Sequence, residues 1–244
     1  MKQSVFQILE NKPLTDCVYQ MVLQGDTSAI TAPGQFVNIR LDGLYLRRPI
    51  SVCDLQQDRL TIIYKVVGKG TQQMAAMTHG ELDILTGLGN GYDLIKAGDH
   101  PVLIGGGVGV PPMYLLCKKL IEQNKHVQVI LGFNTASEVF LEQAFRDLGA
   151  EVTVTTVDGS AGTKGFVTDA LQNMQYSYFY TCGPEPMLKA VYRISTTSGQ
   201  FSFEKRMGCG FGACMGCSCK TITGYKRICK EGPVLQKEEI AWED

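Results

Sequence analysis

Several features that would point to a membrane or to nucleic acid are missing from this sequence. No stretch approaches the roughly 18 uninterrupted apolar residues that a membrane span requires. The opening residues, MKQSVFQILEN, contain no apolar core of a signal peptide. The formal net charge is only -1, which argues against nucleic acid as the main partner. We therefore expect a cytoplasmic protein that binds neither a membrane nor nucleic acid.

Histidine is scarce, and its positions do not suggest a catalytic triad. The three histidines, His79, His100 and His126, are scattered, and none has beside it a cysteine or acid that makes an obvious triad. We interpret each as a surface or turn residue and predict no catalytic side chain. The sequence also has no internal repeat and no low-complexity segment.

The patterns that are present predict a multi-domain β and α/β protein. The 244 residues are 44% hydrophobic and 19% charged, which is ordinary for a globular protein. Short alternating stretches such as QFVNIRL and RLTIIYKVV, separated by turn residues, predict an antiparallel β-barrel over residues 1–98. From His100 apolar runs alternate with helical patterns, which predicts a parallel sheet covered on both faces over residues 99–200.

A cysteine-rich segment follows, and we expect it to form a small module over residues 201–244. It has too few apolar residues for a core of its own, so something that it binds must organise it. Because a reducing setting disfavours disulfides, clustered cysteines there indicate metal or redox chemistry. Four cysteines follow the plant-type spacing C-x4-C-x2-C for a [2Fe-2S] cluster, with the fourth eleven residues later. They are Cys209, Cys214, Cys217 and Cys229.

Structural zinc is the main alternative for these four cysteines. Structural zinc sites usually use two separated pairs at short spacing, whereas three ligands crowd one loop here. Cys219 could replace Cys217 after a two-residue shift, but the spacing favours Cys217 and leaves Cys219 as a buried neutral thiol. The surrounding glycines let a tight loop aim backbone N–H groups at the sulfurs.

A glycine-rich turn after a buried strand predicts a nucleotide site. LIGGGVGVPPM opens a helix, so backbone N–H groups at Gly105, Gly106, Gly107 and Gly109 can meet a pyrophosphate. Because prolines occupy the helix start, this is not the G-x-G-x-x-G fingerprint, and the run could be only a tight turn. A second strand, YSYFYTCG, brings Cys182 and Gly183 to the same carboxyl edge, where open α/β sheets bind ligands.

Two barrel segments carry groups suited to a diphosphate and a ring system. RRPISV contains two arginines and a serine, and YKVVGKGT contains an aromatic side chain, a lysine and a glycine turn. Basic residues beside a barrel strand usually form only a solvated face, so this pattern alone does not decide the matter.

Four signals occur in an order that resembles the ferredoxin-reductase superfamily. They are R-x-x-S, G-T, G-G-G-x-G-x-x-P and C-G-P. More narrowly, RRPIS, YKVVGKGT, LGNGYDL, GGGVGVPP, CGPEPM and EKRMGCGFGACMGCSCK resemble the electron-transfer subunits of dihydroorotate dehydrogenase B, over nearly the whole chain. The resemblance implies an FAD-binding barrel, an NAD-binding α/β domain and a C-terminal [2Fe-2S] module.

The resemblance also implies which residues bind the cofactors. It assigns FAD to Arg48, Pro49, Ile50, Ser51, Ile63, Tyr64, Lys65, Gly70 and Thr71. It assigns NAD to Gly105, Gly106, Gly107, Gly109, Cys182 and Gly183. It implies that electrons from dihydroorotate leave an FMN-containing catalytic subunit and pass through [2Fe-2S] and FAD to NAD, within a heterotetramer that makes orotate for pyrimidine biosynthesis.

Two other functions stay open at this point. An FAD and [2Fe-2S] subunit of another NAD(P)H-linked complex, such as a bifurcating ferredoxin reductase or a sulfite reductase, would share the fold. A nucleotide-binding regulator with structural zinc would share the glycine turn. The segment GFNTASEVFLEQ lacks an arginine that would pair with a 2'-phosphate, which favours NAD over NADP.

Overall fold

The first part of the chain forms a closed β-barrel in the computed structural model, which describes residues 1–242. Its strands are β1 (Lys2–Pro13), β2 (Val18–Gln24), β3 (Phe36–Ile39), β4 (Arg48–Gln56), β5 (Arg59–Lys65) and β6 (Glu81–Leu88). They pair antiparallel in the order β1-β2-β5-β4-β3-β6. Since side chains alternate along a strand, one set fills the barrel, where Phe6, Met21 and Ile62 are fully buried. A short helix, α1 (Lys69–Ala75), follows β5.

The second part is a seven-stranded sheet flanked by helices. The remaining strands are β7 (Pro101–Gly106), β8 (Gln128–Phe133), β9 (Glu151–Thr156), β10 (Thr163–Lys164), β11 (Tyr178–Cys182), β12 (Gly199–Ser202), β13 (Ser218–Thr221), β14 (Gly224–Arg227) and β15 (Val234–Gln236). The sheet order is β10-β9-β8-β7-β11-β12-β15, and β13 and β14 form a separate hairpin. The helices are α2 (Pro111–Glu122), α3 (Glu142–Asp147), α4 (Val167–Leu171) and α5 (Glu185–Ile194). None of the helices within residues 1–242 is both long and apolar enough to cross a membrane.

One predicted helix is shorter than its pattern. SEVFLEQAFRDLG predicts a continuous helix, but the structure has a 3-10 turn at Ala136–Glu138 and the two-turn helix α3. The interruption is at Leu141, whose φ of 63° lies in the left-handed region. Helical periodicity alone does not reveal such a break.

The C-terminal region takes its core from its neighbours. Cys217, Ile228 and Cys229 pack in one buried cluster with Phe36 of the barrel and Phe201 of the sheet. In addition, β15 pairs antiparallel with β12 and so extends the otherwise parallel sheet. These contacts supply the apolar surroundings that the segment lacks in its own sequence. The domain boundaries after residues 98 and 200 stay predictions.

The segment LGNGYDL, which follows β6, joins all three regions. Asn90 exchanges hydrogen bonds with the backbone of Val234, at 2.8 Å from Nδ2 to the carbonyl oxygen and 3.1 Å from the amide nitrogen to Oδ1. The Tyr92 hydroxyl donates to the carbonyl oxygen of Thr181 in β11 at 3.1 Å. These bonds fix the barrel, the parallel sheet and the cysteine-rich module against each other.

Candidate functional site

The glycine turn meets the end of β11 at the carboxyl edge of the sheet. Cys182 lies opposite Gly105 in the register of β11 and β7. A Cβ atom on Gly109 would lie only 2.2 Å from the Cys182 carbonyl oxygen, so this approach requires glycine. Pro111 begins α2 directly after the turn. The structure therefore brings the two predicted NAD segments together, at the strand reversal where such sheets bind ligands.

A cavity of about 530 Å³ opens at this edge. Gly106, Gly107 and Gly109 line it, whereas Gly105 and Cys182 are buried in the strand ends. Lys65 of the barrel also lines the cavity, so the cavity reaches the end of β5. Its volume falls within the range of about 300–1,000 Å³ that is typical of small-molecule sites. The bare glycine backbone and the adjoining space fit a dinucleotide.

Sequence reasoning missed two acidic residues in the cavity wall. Glu138 follows β8 and accepts hydrogen bonds from the backbone and side-chain nitrogens of Asn134, at 3.1 and 2.8 Å. An acidic group after the second strand of a dinucleotide fold can bind the ribose hydroxyl of NAD, and Glu138 in GFNTASEVFLEQ is the sequence signal for it. Glu204 lies after β12 and is an exposed residue at the rim of the cavity.

Strands β4 and β5 carry the residues predicted for FAD, apart from Gly70 and Thr71 in α1. The two strands pair only from Val52 and Ile62 onward within the part of the chain that the structure describes. Before that point, residues 48–51 pair with β3, and residues 63–65 pair with β2. The strands thus separate where the two predicted segments face each other. This separation leaves backbone groups of both segments free for a cofactor.

Arg47 and Arg48 differ in their partners. The Arg47 guanidinium forms a bidentate pair with the Asp83 carboxylate at 3.0 and 3.1 Å, so it supports the barrel. Arg48 makes hydrogen bonds only to backbone carbonyl oxygens and has no carboxylate partner among residues 1–242. It lies so close to Gly70 that a Cβ atom there would be 2.1 Å from its Nε. A guanidinium without an acidic partner beside a glycine turn fits a diphosphate.

Two side chains predicted for FAD already have partners within the protein. Tyr64 is buried among the residues that fill the barrel, and its hydroxyl donates to Oδ1 of Asn11 at 3.0 Å. The Thr71 hydroxyl accepts from the backbone nitrogen of Val67 at 2.9 Å and so holds the turn before α1. If these two residues contact FAD, their backbones supply the contact. Their assignment stays a prediction.

The four cysteines predicted as cluster ligands lie as two pairs. The backbone nitrogen of Cys214 donates to Sγ of Cys209, and that of Cys209 donates to Sγ of Cys214, each at 3.4 Å. The backbone nitrogen of Cys229 donates to Sγ of Cys217, also at 3.4 Å. Cys214 is exposed and Cys209 half-buried, whereas Cys217 and Cys229 are buried. One pair therefore faces solvent, and the other lies against the shared core.

Backbone hydrogen bonds favour the thiolate form of Cys209. Burial opposes ionisation of Cys209, but donation from the backbone of Cys214, Phe211 and Ala213 outweighs it and lowers its pKa to about 6. Burial raises the pKa of Cys229 to about 12. Within residues 1–242, no three His, Cys, Asp or Glu side chains converge as ligands of one metal ion. The observed pairs fit two irons with two thiolates each.

Cys219 lies outside both pairs. It is half-buried on the hairpin strand β13, and its thiol donates to the carbonyl oxygen of Lys220 at 3.7 Å. The loop between the first two cysteines is held separately by Arg227, which donates to the carbonyl oxygen of Gly212 at 2.6 Å. This arrangement favours Cys217 over Cys219 as the third ligand.

Comparison with known proteins identifies the family of the chain and two of its domains. A family model described as the iron-sulfur cluster binding domain of dihydroorotate dehydrogenase B matches residues 204–241. A second, described as an oxidoreductase NAD-binding domain, matches residues 103–193. Two curated relatives, from Geobacillus sp. (strain WCH70) and Fusobacterium nucleatum subsp. nucleatum, are named dihydroorotate dehydrogenase B (NAD(+)), electron transfer subunit. They are 40% and 41% identical, each over 98% of this chain and 99% of their own length.

The chain belongs to this family. The predicted family, fold class, enzyme class and cofactor set are therefore confirmed as those of the dihydroorotate dehydrogenase B electron-transfer subunits. Among solved structures, an NADH-dependent reduced ferredoxin-NADP oxidoreductase, studied for electron bifurcation, has a TM-score of 0.88 and 28% identity. The match covers 97% of this chain and 90% of that one. A ferredoxin NADP+ reductase from Neisseria gonorrhoeae, with a TM-score of 0.70 and 18% identity over 80% of this chain and 90% of that one, shares the fold.

Proposed function

We propose that the chain carries electrons from an FMN-containing dihydroorotate dehydrogenase catalytic subunit to NAD+ in a cytoplasmic heterotetramer. The observation that carries this proposal is the arrangement of the cysteines in one outward and one inward pair. The outward pair would hold the cluster where a docked partner can approach it, and the inward pair lies beside the flavin barrel. The 40% identical relatives named as electron-transfer subunits support the same partner.

The residues of this chain bind and orient the groups between which electrons pass. Arg48 and the Gly70 turn hold the FAD diphosphate, and the separated strands β4 and β5 present their backbones to the flavin ring. The turn Gly107–Gly109 binds the NAD pyrophosphate, and Glu138 binds a ribose hydroxyl. When bound, the flavin would take up two single electrons from an iron-sulfur cluster together with a proton from solvent, and could then supply a hydride to a nicotinamide.

The exposed surface around the outer cysteine pair suits a docking partner. Phe211 and Met215 flank Cys214 in sequence, and both side chains are exposed, at 43% and 55% of their full area. Exposed apolar side chains around a redox centre are typical of a protein interface. We assign this surface to the catalytic subunit. We place the complex in the cytoplasm because a reducing compartment keeps cysteines available as the thiolate ligands that the cluster requires.

The test is co-expression of the chain with a dihydroorotate dehydrogenase catalytic subunit, anaerobic purification and assay of NADH formation from dihydroorotate. We expect a complex that contains flavin and iron, and activity that is lost in Cys214→Ser. The matched control is Cys117→Ser, a buried thiol on α2 far from the module in sequence. A fully loaded complex that leaves NAD+ unreduced would refute the proposal. Co-purification with a larger multi-cluster subunit would instead support a bifurcating complex like the structural relative.

A further inference from the structure

A single side chain, Asn38, links the flavin strands to the cysteine loop. It lies on β3 and is 1% exposed. Its neighbours on the strand, Val37 and Ile39, point into the barrel, so Asn38 points outward toward the cysteine-rich module. Its Nδ2 donates to the carbonyl oxygen of Cys209, the first cluster ligand, at 3.1 Å.

The cysteine loop is shaped to receive this amide. Gly210 follows Cys209 and has a φ of 78°, in the region that favours glycine. A Cβ atom on Gly210 would lie 2.3 Å from Nδ2 of Asn38. A side chain at 210 would therefore push the loop off the barrel. The close approach of the loop to Asn38 therefore requires glycine at position 210.

The same face of the barrel carries part of the predicted flavin strand. Asn38 pairs directly with Pro49, and Phe36 pairs with Ser51, so these four residues share one face of β3 and β4. Phe36 packs in the same buried cluster as Cys217, on the inner side of the module. The side chains of Asn38 and Phe36 therefore contact the cysteine-rich module and lie on the same face as the predicted flavin segment of β4.

One atom of Asn38 has no partner within residues 1–242. Its Oδ1 is buried and accepts no hydrogen bond from the described part of the chain. A buried amide oxygen without a donor is costly, by about 1–3 kcal/mol in proteins generally, unless a bound molecule supplies the donor. A flavin along residues 48–51 carries such donors in its ring N–H group and its ribityl hydroxyls.

We propose that Asn38 is a positioning residue that holds the cluster loop against the flavin strand, with Nδ2 bound to Cys209 and Oδ1 accepting a hydrogen bond from the flavin. This inference rests on the proposed binding of FAD and the cluster. On this proposal, Asn38 sets the distance between the two redox groups and their relative orientation.

The test compares the Asn38→Ala variant with the native full-length chain, each loaded with FAD and the cluster. The chain is mixed anaerobically with NADH, flavin reduction and cluster reduction are followed by visible absorbance, and the cluster is characterised by electron paramagnetic resonance. We expect cluster reduction to slow by about tenfold or more, because electron transfer between bound groups depends on their geometry. Reduction of the flavin by NADH should keep its rate. The resonance spectrum should change, and the dissociation constant of FAD should rise about tenfold, the equivalent of about 1.4 kcal/mol.

Gln35→Ala is the matched control. Gln35 is also a buried side-chain amide beside β3, but it bonds the backbones of Thr31, Ala32 and Gly89 instead of the cysteine loop. It should leave the spectrum and the rate of cluster reduction unchanged. Asn38→Asp keeps the shape of Asn38 and removes the donor, so it should slow cluster reduction as Asn38→Ala does.

Each outcome of the test supports or overturns a stated part of the proposal. An unchanged spectrum and rate in Asn38→Ala would overturn the contact with the loop, and unchanged FAD affinity would overturn the contact with the flavin. Equal loss of the cluster in Asn38→Ala and Gln35→Ala would overturn the proposal in favour of general destabilisation, whereas loss in Asn38→Ala alone would support it. Absence of flavin and iron from the native chain would refute the proposed function itself.

Discussion

Arg47 and Arg48 are adjacent in sequence and identical in chemistry, yet the fold gives them different tasks. Arg47 is tied to Asp83 across the barrel, and Arg48 lies against Gly70 with only backbone acceptors. The R-R-P-I-S motif does not reveal which arginine is free, because the strand alternation that separates them depends on register. The side-chain contacts in the folded protein show that Arg48 is the arginine without an acidic partner among residues 1–242.

This difference predicts separable effects of two substitutions. Arg48→Gln should weaken FAD binding about 10- to 100-fold, because a charge-assisted hydrogen bond contributes about 1.5–3 kcal/mol. Its free energy of unfolding without cofactor should hardly change. Arg47→Gln should do the reverse and lower that free energy while FAD affinity is retained in the folded protein. Fluorescence titration of FAD and urea unfolding measure the two quantities. Equal losses of FAD affinity in both variants would contradict the assignment.

A second prediction concerns the third cluster ligand. Cys217→Ser should reduce bound iron and the visible absorbance of the cluster, because the hydroxyl is a far weaker iron ligand than a thiolate. Cys219→Ser, two residues away on the same segment, should retain both. Iron analysis and an absorption spectrum after anaerobic purification check this pair. The ligand set would be wrong if Cys219→Ser lost the cluster and Cys217→Ser kept it.

At the scale of secondary-structure elements, the ends of β7 and β11 determine the nucleotide site. Their parallel register places Cys182 opposite Gly105, and the glycine turn then passes directly over the end of β11. The space for a dinucleotide exists because two elements distant in sequence end at the same level.

Gly109→Ala tests this close approach. The added methyl group would collide with the Cys182 carbonyl oxygen, so we expect a loss of about 1–3 kcal/mol in stability and weaker binding of NADH. Gly68→Ala meets no atom within 4 Å and should cost less than about 1 kcal/mol. Urea unfolding measures the stability of the two variants, and titration with NADH measures their affinity for the nucleotide. If Gly109→Ala kept the free energy of unfolding of the native chain, the turn could move away from the Cys182 carbonyl oxygen, and the close approach would not require glycine.

The sequence predicts those elements that depend on local pattern. Period-two alternation identifies the barrel strands, glycine after an apolar run identifies the turn before α2, and cysteine spacing identifies the cluster loop. It does not predict the break at Leu141, the inward direction of Tyr64 or the place of Glu138 in the cavity wall. These features depend on which residues the tertiary fold brings together. Similarly, His100 and His126, scattered in sequence, stack with ring centroids 5.1 Å apart.

At the scale of the whole molecule, the barrel depends on an ion pair that responds to pH. Burial would raise the pKa of Asp83, but hydrogen bonds from Arg47 and Gln3, with the charges of Arg47 and Arg40, lower it. A carboxyl group whose pKa is lowered by folding stabilises the native state above its unfolded pKa of about 3.9. That stabilisation disappears as the pH falls through the lowered value.

The native chain should therefore lose stability relative to Asp83→Asn as the solution is acidified. We expect native Asp83 to be the more stabilising residue at about pH 7, and the difference between the two proteins to disappear as the pH falls through the lowered pKa of Asp83. Urea unfolding across this range, without cofactors, provides the measurement. Glu142→Gln, which removes an exposed ion pair with Arg146 on α3, serves as the control and should change little at any pH. A difference in stability between the native chain and Asp83→Asn that stays constant with pH would exclude the linkage.

The pairing of β15 with β12 links the protection of a sheet edge to the folding of the cysteine-rich module. Gln200, Phe201 and Ser202 present their outer hydrogen-bonding edge to β15, a strand that follows the iron-binding loop. A protein whose iron loop never folds would leave that edge bare, and unpaired strand edges template aggregation. We therefore expect a chain without its cluster to aggregate more readily than the loaded chain.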